Sequence, residues 1–141
     1  MALELALALF AGISAVADAI HIWQSTRDKP RAARAFDETY EKTLHAPESQ
    51  KAAEQLVAII PTDVIKELEE RADSCWTSYR KVLGGEYLPD EVDNATASVQ
   101  ACVCRELQRI NKLNGRIPNR WNRQWEQFKC AERSRSLLAR A

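Results

Sequence analysis

Glycine and proline are scarce in this chain, at four and five positions among 141 residues. So few leave no Gly-rich phosphate loop, and the HExxH, GxSxG and Glu-x-x-His patterns are also missing. Histidine occurs twice, at His21 inside an apolar segment and at His45 in a predicted turn. These absences point to a non-enzymatic protein. There is no internal repeat and no low-complexity segment. With Ala, Leu, Glu, Arg and Gln abundant and helix breakers rare, the chain reads as all-α. Hydrophobic residues make up 45% and charged residues 28%, a globular mixture in a length that suits one domain.

Net charge is also missing, because 20 Lys+Arg balance 20 Asp+Glu. The balance hides an asymmetry. Residues 1–100 hold 10 basic against 17 acidic side chains (−7), and residues 101–141 hold 10 against 3 (+7). Such halves neutralise one another within a bundle or meet between copies, so a homo-oligomer is the expected partner state. The run Glu67, Glu69, Glu70 reads as a solvated acidic face.

What the chain does have is an unusually apolar start. Leu5 to Ala17 are thirteen consecutive uncharged residues, and Ile20, Ile22 and Trp23 extend the run past Asp18 and His21. A helix apolar all round must be buried in protein or in lipid. Three descriptions fit. A spanning helix wants ~20 apolar residues, which the run reaches only by continuing to Trp23. A cleaved secretory signal is suggested by Ala15-Val16-Ala17, which would leave a mature start at Asp18, although Glu4 replaces the expected basic n-region. The third is the central helix of a soluble bundle. The division is therefore a hydrophobic N-terminal helix over 1–24 and an amphipathic bundle over 28–141, with five or six helices in all.

Pro and Gly punctuate the remainder. Pro30 after Asp28 opens a helix to about Leu44 with Ala33, Phe36 and Tyr40 on one face. A short helix spans Glu48 to Ile60. Thr62 is placed to cap the next, whose stripe is Ile65, Leu68, Ala72, Cys75, Tyr79 and Val82, ending at Gly84-Gly85. Pro89 starts a helix through Val92, Ala95, Val99, Cys102, Val103, Ile110 and Leu113. Pro118 opens a last one with Trp121, Trp125, Phe128 and Leu138 in line. Asn94-Ala95-Thr96 matches a glycosylation sequon, relevant only to an exported chain.

Four cysteines sit at 75, 102, 104 and 130. Cys75 and Cys102 lie on apolar stripes either side of a loop, while Cys104 and Cys130 keep polar company and stand level across the Asn114–Asn119 turn. Residues two apart on a helix point about 200° away from each other, so Cys102 and Cys104 face different neighbours. Two disulfides, Cys75–Cys102 and Cys104–Cys130, fit a continuous helix. A zinc or iron–sulfur site at all four would require unwinding around Val103. Four reduced, buried cysteines are the third alternative. Arg27, Lys29, Arg31 and Arg34 follow the apolar run and no basic residue precedes it. If the run spans a membrane, the positive-inside rule leaves the bundle in the cytoplasm; otherwise the chain is a soluble cytoplasmic one.

The last segment interleaves Arg120, Arg123, Lys129 and Arg133 with Trp121 and Trp125. Because the aromatics follow helical spacing, they read as a core face with a basic surface behind it. That argues against nucleic acid as the partner.

An Ala/Leu-rich N-terminal helix carrying Gly12 and a late Asp18 precedes a compact amphipathic bundle. In this layout, over residues 1–82, the chain resembles the HeLo-type cell-death domains of fungi and their bacterial Bell-type counterparts. The resemblance implies an effector whose N-terminal helix is released on oligomerisation and damages membranes. The residues expected to enter lipid are Leu5, Leu9, Phe10, Gly12, Ile13, Val16, Ile20 and Trp23. On that reading Leu9→Glu removes membrane activity and leaves the bundle folded. In a soluble adaptor or sensor, with the cysteines as metal site or disulfides, the same change unfolds the chain.

Overall fold

The computed structural model describes residues 2–114 together with residues 121 and 126. Among these it contains five helices: α1 (Ala2–Thr26), α2 (Lys29–His45), α3 (Pro47–Ile59), α4 (Thr62–Gly84) and α5 (Pro89–Asn114). The chain is all-α, as its composition dictates. The expected sixth helix from Pro118 lies outside the described residues, apart from Trp121 and Glu126.

Local chemistry sets the helix ends. Asp28 caps α2 by accepting the Arg31 N–H at 3.1 Å, and Pro30 sits in the first turn, where its missing N–H costs nothing. Ala46 and Ile60 are extended, at φ −76°, ψ 136° and φ −119°, ψ 133°. Each precedes a proline, which disfavours helical backbone in the residue before it. Thr62 does not cap α4. Pro61 holds the cap position and Thr62 is the first helical residue. At the start of α5, the Glu91 carboxylate accepts the Leu88 N–H at 2.8 Å, one half of a capping box.

α1 is the axis of the bundle and touches α2, α3, α4 and α5. α2 and α5 run antiparallel to it. α4 runs parallel, bringing Gly85 beside Lys29 at the start of α2, where the ammonium donates to the Gly85 and Tyr87 carbonyls at 2.7 and 2.8 Å.

The two predicted faces hold in the main, with shifts at single positions. On α4 the buried residues are Ile65, Leu68, Ala72, Trp76, Tyr79 and Leu83, with Cys75 and Val82 half-buried. The large indole of Trp76 takes the inward position, because it removes more apolar surface from water than the neighbouring Cys75 side chain. On α5, Gln100, Cys104 and Glu106 are buried beside the expected stripe, whereas Leu113 is exposed. Cys104 is therefore a core residue rather than part of a polar face.

Candidate functional site: the apolar axis and its latches

α1 is the one helix among the described residues that is long and apolar enough to cross a membrane. At 1.5 Å per residue its 25 residues span roughly 37 Å, against a hydrocarbon core of about 30 Å. Leu9, Gly12, Ile13, Val16, Ile20 and Trp23 are buried against the other helices, while Leu5 and Phe10 are half-buried. Phe10 meets Trp121 edge-to-face at 5.1 Å, and the Trp121 indole donates to the Ala52 carbonyl at 2.9 Å. The titratable side chains of α1, Glu4, Asp18 and His21, are all exposed.

Gly12 carries the closest approach. The six-membered ring of Trp76 occupies the space where a Cβ on residue 12 would stand. Glycine therefore sets the distance between α1 and α4.

The C-terminal end of α1 is held by polar contacts that the sequence did not reveal. The Trp23 indole donates to Asp93 on α5 at 2.9 Å. Arg27 pairs with the same carboxylate at 2.5 and 3.0 Å, and its guanidinium covers the Trp23 ring at 4.4 Å. Arg27 adopts φ 56°, a left-handed turn that ends α1 and swings its side chain back over Trp23. This arrangement holds the Asp93 carboxyl below its usual range, chiefly through the Arg27 hydrogen bond. Midway along, Thr39 of α2 donates to Asp18 at 2.5 Å. Trp23 and Arg27 are one helical turn apart, but no spacing rule links them to position 93, so only the chain path could bring Asp93 to the pair.

The cysteines are resolved in part. Cys75 and Cys102 form a disulfide between α4 and α5, with Cα atoms 6.5 Å apart. Cys104 is buried, and Cys130 lies outside the described residues. α5 runs unbroken through Val103, and among the described residues no group of three or more His, Cys, Asp or Glu is placed to hold a metal. The expectation of zinc or an iron–sulfur cluster at the four cysteines is therefore overturned: two of the sulfurs are consumed by their own bond, and a continuous helix keeps Cys102 and Cys104 on different faces. The basic surface at Arg120, Arg123, Lys129 and Arg133 also lies outside the described residues.

Around the disulfide, the Tyr79 hydroxyl and Thr96 hydroxyl share a buried hydrogen bond of 2.9 Å, and Thr96 donates on to the Val92 carbonyl at 2.8 Å. Burial pushes the Tyr79 phenol up to about 12.

No family model, curated protein or solved structure matches this chain.

Proposed function

We propose that the protein is a non-enzymatic, oligomerising effector that acts on a membrane through α1. The observation that carries this reading is that a helix apolar enough over its length, and long enough, to span a bilayer forms the axis of a small bundle. Its buried surface is satisfied equally by protein or by lipid. In the resting fold the bundle supplies that environment. Release transfers the helix to the bilayer, where Gly12 and the alanines permit close helix approach and Asp18 and His21 remain near the interface. The opposite charges of residues 1–100 and 101–141 favour contacts between copies. The likeness in layout to HeLo and Bell-type domains supports the same cell-death or defence role.

Leu9→Glu does not test this proposal. Leu9 is fully buried, and an unpaired charge there costs several kcal/mol whatever the function. Leu7, only half-buried at the edge of the core, is the better position. Leu7→Glu should keep its helical circular dichroism and monomeric size in solution, yet lose dye release from liposomes and co-flotation with them. Wild-type protein that neither floats with liposomes nor releases dye would refute the proposal, as would a fully active Leu7→Glu variant.

A second reading is favoured by the enclosure of α1 and the α4–α5 disulfide: a soluble, stapled helical interaction module. It predicts wild-type protein that stays out of the vesicle fraction at all protein concentrations.

A further inference from the structure

The outer surface between α2 and α4 holds a cleft of about 380 Å³, within the size range of small-molecule sites. Phe36 and Trp76, both buried, line its inner side, and Tyr40 stacks parallel to Phe36 with centroids 6.3 Å apart. Three carboxylates, Asp37, Glu41 and Asp73, share the lining with Arg80 and Lys81. The charges are not equivalent. Arg80 is committed to Asp37 through hydrogen bonds of 2.9 and 2.8 Å, so that pair cancels. Asp73 accepts the Trp76 indole N–H at 3.0 Å, which fixes a carboxylate at the edge of an aromatic wall.

A second observation points the same way. The Tyr40 phenol is raised by burial and then by Asp73, Glu69 and Glu41. Carboxylates from both helices thus place a negative potential beside the Tyr40 ring. Aromatic faces are themselves electron-rich. Rings and carboxylates therefore select one kind of ligand, a cation with an apolar coat, while the anion-binding capacity of Arg80 is already used.

We propose that the α2–α4 cleft binds a small organic ammonium ion of the choline class, with its alkyl groups against Tyr40 and the accessible edges of Phe36 and Trp76 and its charge toward Asp73 and Glu41. Free choline and a choline lipid headgroup present this same chemistry. In the lipid the phosphate falls toward Lys81 at the rim. The proposal does not depend on α1 entering a bilayer, and its test needs no bilayer.

The experiment is a titration of full-length protein with choline chloride, followed through the Trp76 indole N–H in nitrogen-15 correlation spectra, with Trp76→Phe identifying the resonance. Sodium chloride at matched ionic strength is the control. The expected result is a saturable shift at millimolar choline that sodium does not produce. Tyr40→Leu and Asp73→Asn should each weaken binding by about tenfold with unchanged circular dichroism. Monomeric short-chain phosphatidylcholine binding more tightly than choline assigns the lipid as the source; equal affinity assigns the free cation. A Trp76 signal that responds to neither, or equally to sodium, overturns the proposal. So does full affinity in both variants.

Discussion

Trp76 lies against Gly12 so closely that its ring fills the place of a side chain at that position. The contact joins the most apolar helix to the amphipathic one beside it. Gly12→Ala should therefore be destabilising even though alanine is the better helix former by about 1 kcal/mol. The indole is buried and cannot swing away freely, so overpacking outweighs propensity and the expected net loss is about 1–2 kcal/mol. Urea denaturation of the variant against wild type measures it, and a more stable Gly12→Ala protein would show that α1 and α4 are not in this contact.

Asp93 holds both Trp23 and Arg27. Asp93→Ala leaves the buried Trp23 N–H without its acceptor, at an expected loss of about 1–3 kcal/mol. The pH dependence has a definite sign. The Asp93 carboxyl is lowered in the folded state, so its contribution is present above the unfolded value of about 3.9 and is lost as pH falls through the lower folded value. Asp37 behaves likewise, because Arg80 lowers it. Acid should thus loosen the latch, and in the membrane reading vesicle binding should rise below about pH 4. A pH series of flotation on wild type and Asp93→Ala checks this: the variant should already bind at neutral pH.

The Cys75–Cys102 bond encloses a loop with a sequence separation of 27. Loop-closure entropy for that size gives about 3.5 kcal/mol, so reductant should lower the melting temperature of wild type but not of Cys75→Ala/Cys102→Ala. Alkylation of protein from its native-like host, with and without prior reduction, also reports the compartment. A protected pair marks an oxidising environment. Two freely alkylated thiols support the cytoplasmic placement suggested by Arg27, Lys29, Arg31 and Arg34.

The Tyr79 hydroxyl is buried against Thr96. Tyr79→Phe should cost about 1 kcal/mol. Because the folded phenol titrates at about 12, above its unfolded value of about 10, the contribution of Tyr79 is complete below that unfolded value. It disappears as pH rises through about 12. Ultraviolet titration should show this late step, and Tyr79→Phe should remove it.

Much of the fold was legible in advance, for reasons particular residues make plain. Pro30 and Pro89 were legible as helix starts because a ring without an N–H is tolerated in the first turn and nowhere further in, whereas Pro47, expected in a turn, and Pro61, expected to end a helix, prove to sit at the starts of α3 and α4. Cys75 and Cys102 were legible as able to approach, because they are nearly symmetric about the α4–α5 loop, but their pairing was one of three alternatives until the structure showed the bond. The metal alternative failed on the same geometry, since it needed a helix to unwind where nothing breaks it. Spacing rules placed Cys75 on the buried stripe of α4, but the one-residue step to Trp76 was decided by volume. The choice between adjacent inward positions depends on the neighbour's surface, and that neighbour is Gly12, more than sixty positions away.

The sequence by itself determined that the chain is helical, where most of its helices begin and end, and that the uncharged run from Leu5 to Ala17 needs an apolar surrounding over most of its surface. Those properties are local, set by backbone propensity and hydrophobic period. Only the tertiary structure decided that α1 is the bundle axis, that Asp93 latches its end, and that Phe36, Tyr40 and Trp76 share a cleft with carboxylates of two helices. Each of those depends on helix order and rotation, which follow from side-chain volumes meeting across long separations rather than from any pattern along the chain.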